Sequence, residues 1–165
     1  MEINEMILSY RDYYGSYHHH KEQMAYGATV LYLTGATFVI LNGRTIKESS
    51  VPSFVVVGLL AAAFLLTVLF VFWQFRKREL AADIVEACTT LLTRQVAEPS
   101  VALETKSVCY KGLDLPKALA DILSWKYANR KFFLSPRVSE ALTYLAIVIW
   151  SLLACLSIWL SSPSQ

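Results

Sequence analysis

The sequence predicts an all-α membrane protein with three transmembrane helices, at about residues 24–42, 53–75 and 138–160. Three observations carry this. The chain has 165 residues, of which 55% are apolar and 17% charged, with a mean hydropathy of +0.42; an ordinary soluble domain has roughly 25% charged residues. Ser53 to Phe75 then runs for 23 residues without a charged side chain and is followed at once by Arg76, Lys77 and Arg78. At about 1.5 Å of rise per residue, such a stretch is long enough to cross a hydrocarbon core of roughly 30 Å. Finally, eleven of the fifteen Lys and Arg residues fall between residues 76 and 138, an asymmetry that sets orientation in a bilayer.

The expected organisation is an N-terminal amphipathic helix over 1–23 and a transmembrane hairpin over 24–75. A cytoplasmic helical module over 76–137 and a third span over 138–161 follow. Residues 1–21 lack the apolar core of a cleavable signal and carry Glu2, Glu5 and Asp12, so they are read as part of the mature chain. Ile3, Met6, Ile7, Tyr10, Tyr13, Tyr14 and Tyr17 recur at helical spacing along one stripe. That stripe suits either the lipid headgroup layer or a protein surface. Gly15 is the expected bend before the membrane, since glycine weakens a helix interior by roughly 1 kcal/mol relative to alanine.

The first span is short and rich in small and hydroxylated residues, among them Thr29, Thr34, Gly35 and Thr37. Small residues let helices approach closely where lipid removes the hydrophobic driving force, so this helix is expected to pack against protein. Asn42-Gly43 reads as its C-cap, and residues 43–52 as a short loop ending at Pro52. In the second span Gly58 and Ala62 form a small-xxx-small pair, or simply belong to an alanine-rich apolar helix. No Pro or Gly intervenes between Phe75 and Pro99, so the helix is expected to continue past the membrane to about Glu98. Its extension has a broad apolar face including Leu80, Ile84, Ala87, Cys88 and Leu91, which needs a partner surface.

Residues 99–112 alternate weakly and read either as a strand or as a loop. Asp114 is the expected N-cap of a helix reaching about Asn129, with Pro116 in its first turn. Trp125, Arg130, Lys131 and Arg137 read as membrane-interface anchors ahead of the third span, as do Trp73, Arg76, Lys77 and Arg78 behind the second. Ser135-Pro136 opens the last helix, whose residues 141–160 are uncharged.

The orientation expected from the basic residues places the N-terminus and the 76–137 loop in the cytoplasm and the C-terminus outside. In a bacterium this membrane would be the inner one. Catalytic and cofactor signatures are missing: there is no GxSxG, HExxH, Walker or Rossmann pattern. Three cysteines without CxxC spacing argue against a zinc module or a disulfide framework. Glu79, Asp83 and Glu86 read as a solvated acidic face. His18, His19 and His20 point about 100° apart on a helix, so one chain cannot converge them on a metal, although a ring of subunits could gather one from each.

The expected function is accordingly a homo-oligomeric membrane assembly, either a pore or a scaffold, with the lipid bilayer as its first partner. The alternative is a membrane-tethered adaptor or sensor whose module binds a cytoplasmic protein. No enzyme activity, cofactor or nucleic-acid partner is expected. A pore would use Thr29, Thr34 and Thr37, with Gly35, Gly58 and Ala62 as packing positions.

Overall fold

A computed structural model of the chain describes residues 3–48, 51–97, 106–110, 113–129 and 138–160. Their order is α1 (Ile3–Leu41), α2 (Gly43–Glu48), α3 (Ser53–Ala97), β1 (Ser107–Tyr110), β2 (Leu113–Pro116), α4 (Lys117–Asn129) and α5 (Val138–Leu160). Three helices, α1, α3 and α5, are long and apolar enough to cross a membrane. The first part of the weakly alternating segment, residues 99–105, the cap at Ser135-Pro136, and Arg130, Lys131 and Arg137 lie outside the described residues.

The chain forms two compact units. The first comprises Met1–Lys21 with Arg76–Ser135, and the second Glu22–Phe75 with Pro136–Gln165. Helices α1 and α3 each contribute to both. The helix α1 continues through Gly15, and α3 passes from Phe75 to Arg76 without interruption, as the lack of a breaker before Pro99 predicts.

The first unit has its own core. Ile7 and Tyr14 of α1, Ala81, Ile84, Ala87, Cys88 and Leu91 of α3, Leu115 of β2, and Leu119 and Leu123 of α4 are buried together. Tyr10 and Tyr17 pack against them. The tyrosine stripe therefore lies on protein, with Tyr13 as its outward member at 63% exposure. The rings form a run along the helix: Tyr10 stacks on Tyr14 at 6.2 Å, Tyr14 meets Tyr13 edge-on at 5.1 Å, and Lys21 Nζ sits 4.9 Å from the Tyr17 ring centre. Such ring pairs contribute about 0.5–1.5 kcal/mol each beyond the area they bury.

Two local expectations are corrected in this unit. The chain is not purely α-helical, because β1 and β2 pair antiparallel, Ser107 opposite Pro116 and Tyr110 opposite Leu113. Asp114 is consequently a strand residue opposite Cys109, and α4 starts only at Lys117. Pairing with β1 claims the segment that would otherwise have capped the helix. Pro116 is tolerated because it stands at the strand's end, where an N–H is dispensable.

In the second unit, Tyr32, Ala36, Leu60, Ile147 and Ala154 form one buried cluster, and Ala25, Val71 and Phe75 another. Phase explains the selection: 25, 32 and 36 lie on one face of α1, and 147, 154 and 158 on one face of α5. The connection after the first span is corrected from a loop to the short helix α2, stabilised by an Arg44–Glu48 pair at 2.8 Å. Its first residue, Gly43, is buried against α5, where an added Cβ would stand 3.0 Å from the Ser157 carbonyl oxygen and 3.1 Å from its hydroxyl. A side chain there would have to push α5 away.

Cys88 offers a direct check of the first unit's core. Burial raises its thiol from the ordinary 9.0 to about 11, because a thiolate is poorly solvated there. A raised folded pKa contributes stability that is fully present below pH 9 and lost as pH rises through about 11. At neutral pH a soluble maleimide should modify exposed Cys109 readily and Cys88 only after unfolding. In alkaline unfolding titrations, the stability difference between the native chain and Cys88→Ala should narrow across that pH window.

Candidate functional site

The candidate site is the polar seam that joins α1 to α5 in the second unit. The Tyr32 hydroxyl lies 2.6 Å from Ser151 Oγ. Ser151 donates its own proton to the Ile147 carbonyl at 2.6 Å, so Tyr32 is the donor between the two side chains. One turn away, Trp150 Nε1 donates to Thr37 Oγ1 at 2.9 Å, and Thr37 donates to the Leu33 carbonyl at 2.7 Å. Each relay thus begins on an aromatic side chain and ends on a helix carbonyl. Every polar hydrogen in the two relays has an acceptor; in apolar surroundings an unsatisfied one would cost several kcal/mol.

The remaining threonines separate. Thr29 is buried and bonds back to the Ala25 carbonyl, whereas Thr34 is exposed and bonds back to Val30. Of the three hydroxyls expected to line a pore, only Thr34 is on the outside of the bundle. Gly35 and Gly58 are exposed, and an added Cβ at either would meet nothing within 4 Å. Ala62 is exposed as well, one turn from Gly58.

Between α1 and α3 lies a groove of about 1100 Å³, lined by residues that include Gly35, Ala36, Leu60, Ala63, Phe70 and Trp73. No charged residue lines it. Its chemistry fits hydrocarbon and offers nothing to hold an ion or a phosphate.

Several polar residues are buried in both units. Gln74, Glu140 and Thr143 of the second unit are each at most 7% exposed. Helix α5 begins at Val138 and carries Glu140 in its first turn, just ahead of the uncharged stretch 141–160. In the first unit, Arg78 is 1% and Asp83 3% exposed. The basic collar that faces outward is therefore Arg76, with Lys77 half-buried. The acidic face is likewise corrected: Glu86 is exposed and Glu79 half-buried, with Arg76 at 3.9 Å, but Asp83 is inside. Burial, and then the Asp83 carboxylate, push the Tyr110 phenol above its usual value.

Trp73 and Trp125 are both largely exposed. His19 and His20 are exposed and His18 is half-buried on the same helix. Among the described residues, no group of three or more His, Cys, Asp or Glu side chains could hold a metal. A phase count along α3 would have found Arg78, which stands one heptad after buried Val71. Nothing in the sequence pairs Tyr32 with Ser151. No protein-family model, curated protein or solved structure matches this chain.

The relays predict non-additive energetics. Tyr32→Phe or Ser151→Ala should each destabilise the bundle by about 0.6–2 kcal/mol, measured by reversible unfolding in bicelles. The double variant should cost much less than the sum, because either change breaks the same bond.

Proposed function

We propose that this chain is a multi-pass membrane protein that self-associates into a scaffold and holds its first unit at the cytoplasmic face. The observation that carries this reading is the surface of the second unit. In the apolar window of α3 only 11% of residues are buried, and Phe54, Leu59, Leu66 and Leu69 each expose more than 60% of their surface. A soluble monomer does not present so large a contiguous apolar surface; lipid and neighbouring helices can cover it.

Self-association rests on the small residues within that surface. Gly58, Ala61, Ala62 and Ala63 are all exposed, and in lipid such positions let a second helix approach closely. A scaffold is favoured over a pore because Thr29 and Thr37 are engaged within the bundle. The alternative, a tethered adaptor, is supported by a different observation: the first unit has a buried core of its own and could present a surface to a partner protein.

Mass measurement in nanodiscs tests the assembly. The native chain should give a defined oligomer, and Gly58→Leu with Ala62→Leu should shift it toward monomer; a native monomer at every protein-to-lipid ratio would sink the scaffold reading. Liposomes containing the oligomer should pass no ions, and Thr34→Leu should leave that unchanged.

Orientation has a separate test, set by eleven basic residues between 76 and 138 against Arg44 and Lys47 in the first connection. In a Cys155→Ser background, an impermeant maleimide should label Thr45→Cys from outside intact cells. It should reach Cys109 only after permeabilisation.

A further inference from the structure

Among the described residues the β-hairpin of the first unit has one open edge, and its geometry is self-complementary. The Lys117 N–H donates to the Lys106 carbonyl at 2.8 Å. With Ser107 opposite Pro116 and each later pair following in register, that bond sets the phase of the whole hairpin. Residues 106 and 117, 108 and 115, and 110 and 113 are then the pairs that exchange main-chain hydrogen bonds. The main-chain N–H and C=O groups of Ser107 and Cys109 consequently point away from β2. On the far edge, the outward positions are Asp114 and Pro116, and Pro116 has no N–H to offer. The sheet has two strands only among the described residues, so β1 is its receptive edge.

Proteins usually protect such an edge with charge, proline or a bulge. Strand β1 reads Ser-Val-Cys-Tyr, and its first three residues are exposed. Val108 shares a sheet face with Tyr110, Leu113 and Leu115, all of which join the core. It is nevertheless 38% exposed, because the sheet stops beside it. A hairpin of two strands is marginal by itself and gains from another.

We propose that β1 pairs antiparallel with β1 of a second copy of this chain, about a two-fold axis at Val108, to form a continuous four-stranded sheet. This inference rests on the self-association reading and adds a second interface to it. Only one register uses both outward residues of both strands: Ser107 opposite Cys109 of the second copy, twice, exchanging four main-chain hydrogen bonds. The two Val108 side chains then meet as a non-hydrogen-bonded pair, the closer of the two kinds, and cover each other. Lys106 stands opposite Tyr110 of the second copy, so the register sets no lysine against another. Sliding by two residues in either direction leaves one outward residue of each strand without a counterpart within the strand. The interface is isologous and closes at two copies.

Disulfide trapping in intact membranes tests the register. The full chain carries Cys109→Ser and Cys155→Ser, leaving buried Cys88, and either Val108→Cys or, as a control, Thr90→Cys on the exposed flank of α3. Mild oxidation should link Val108→Cys into dimers at least about tenfold faster than the control, since a disulfide needs Cα atoms within about 7 Å. Changing residue 109 to proline instead of serine removes an outward N–H while sparing the hairpin's own bonds, and should reduce trapping to the control rate. Protection of Cys88 from maleimide reports that each variant is folded. Equal trapping at both positions, or trapping indifferent to proline, would overturn the strand pairing. If nanodisc masses show an oligomer while Val108→Cys is not trapped, the pairing fails and the α3 interface stands; if they show only monomer, both fail.

Discussion

Helical continuity from one core to the other is the constraint on which the rest of this structure depends. A helix satisfies its backbone hydrogen bonds internally, and both α1 and α3 run on beyond their apolar segments. The helical period is therefore never reset. Along α3 the buried stripe runs through Val71, Phe75, Arg78, Ala81, Ile84, Cys88 and Leu91, with steps of three and four residues throughout. Arg78 is inside because it falls on that stripe. Its basic neighbour Arg76 falls off it and faces outward.

The same period governs α1. Ile7 and Tyr14 face the core of the first unit, while Ala25, Thr29, Tyr32 and Ala36 face that of the second. Between them lie the histidines and Lys21, which tolerate a boundary because their side chains combine an apolar body with a polar tip. One helix thus contributes tyrosines to the core of the first unit and small residues to that of the second.

In lipid, apolar exclusion would contribute little to such a bundle, since lipid tails are as apolar as leucine. Cohesion comes from close packing and from hydrogen bonds that end on helix carbonyls. Gly43 illustrates the first, by admitting the Ser157 backbone. The Tyr32–Ser151 and Trp150–Thr37 relays illustrate the second. Both relays join α1 to α5, elements more than a hundred residues apart in sequence, and they engage a threonine that composition alone would have left available to solvent.

The apolar runs, the absence of breakers between Phe75 and Pro99, and the tyrosine period were legible in the chain itself, because each is a local pattern and helix formation is local. Those patterns determined three candidate spans, the long α3 and an amphipathic N-terminal helix. Which surface covers a given face is a non-local question. Only the tertiary structure decided that the tyrosines pack on protein, that Asp83 and Arg78 are buried, and that Thr37 accepts from Trp150. The hairpin belongs to the same class: Asp114 is as good a cap as a strand residue until Cys109 lies opposite it. Periodicity shows that a face exists, and only packing shows what lies against it.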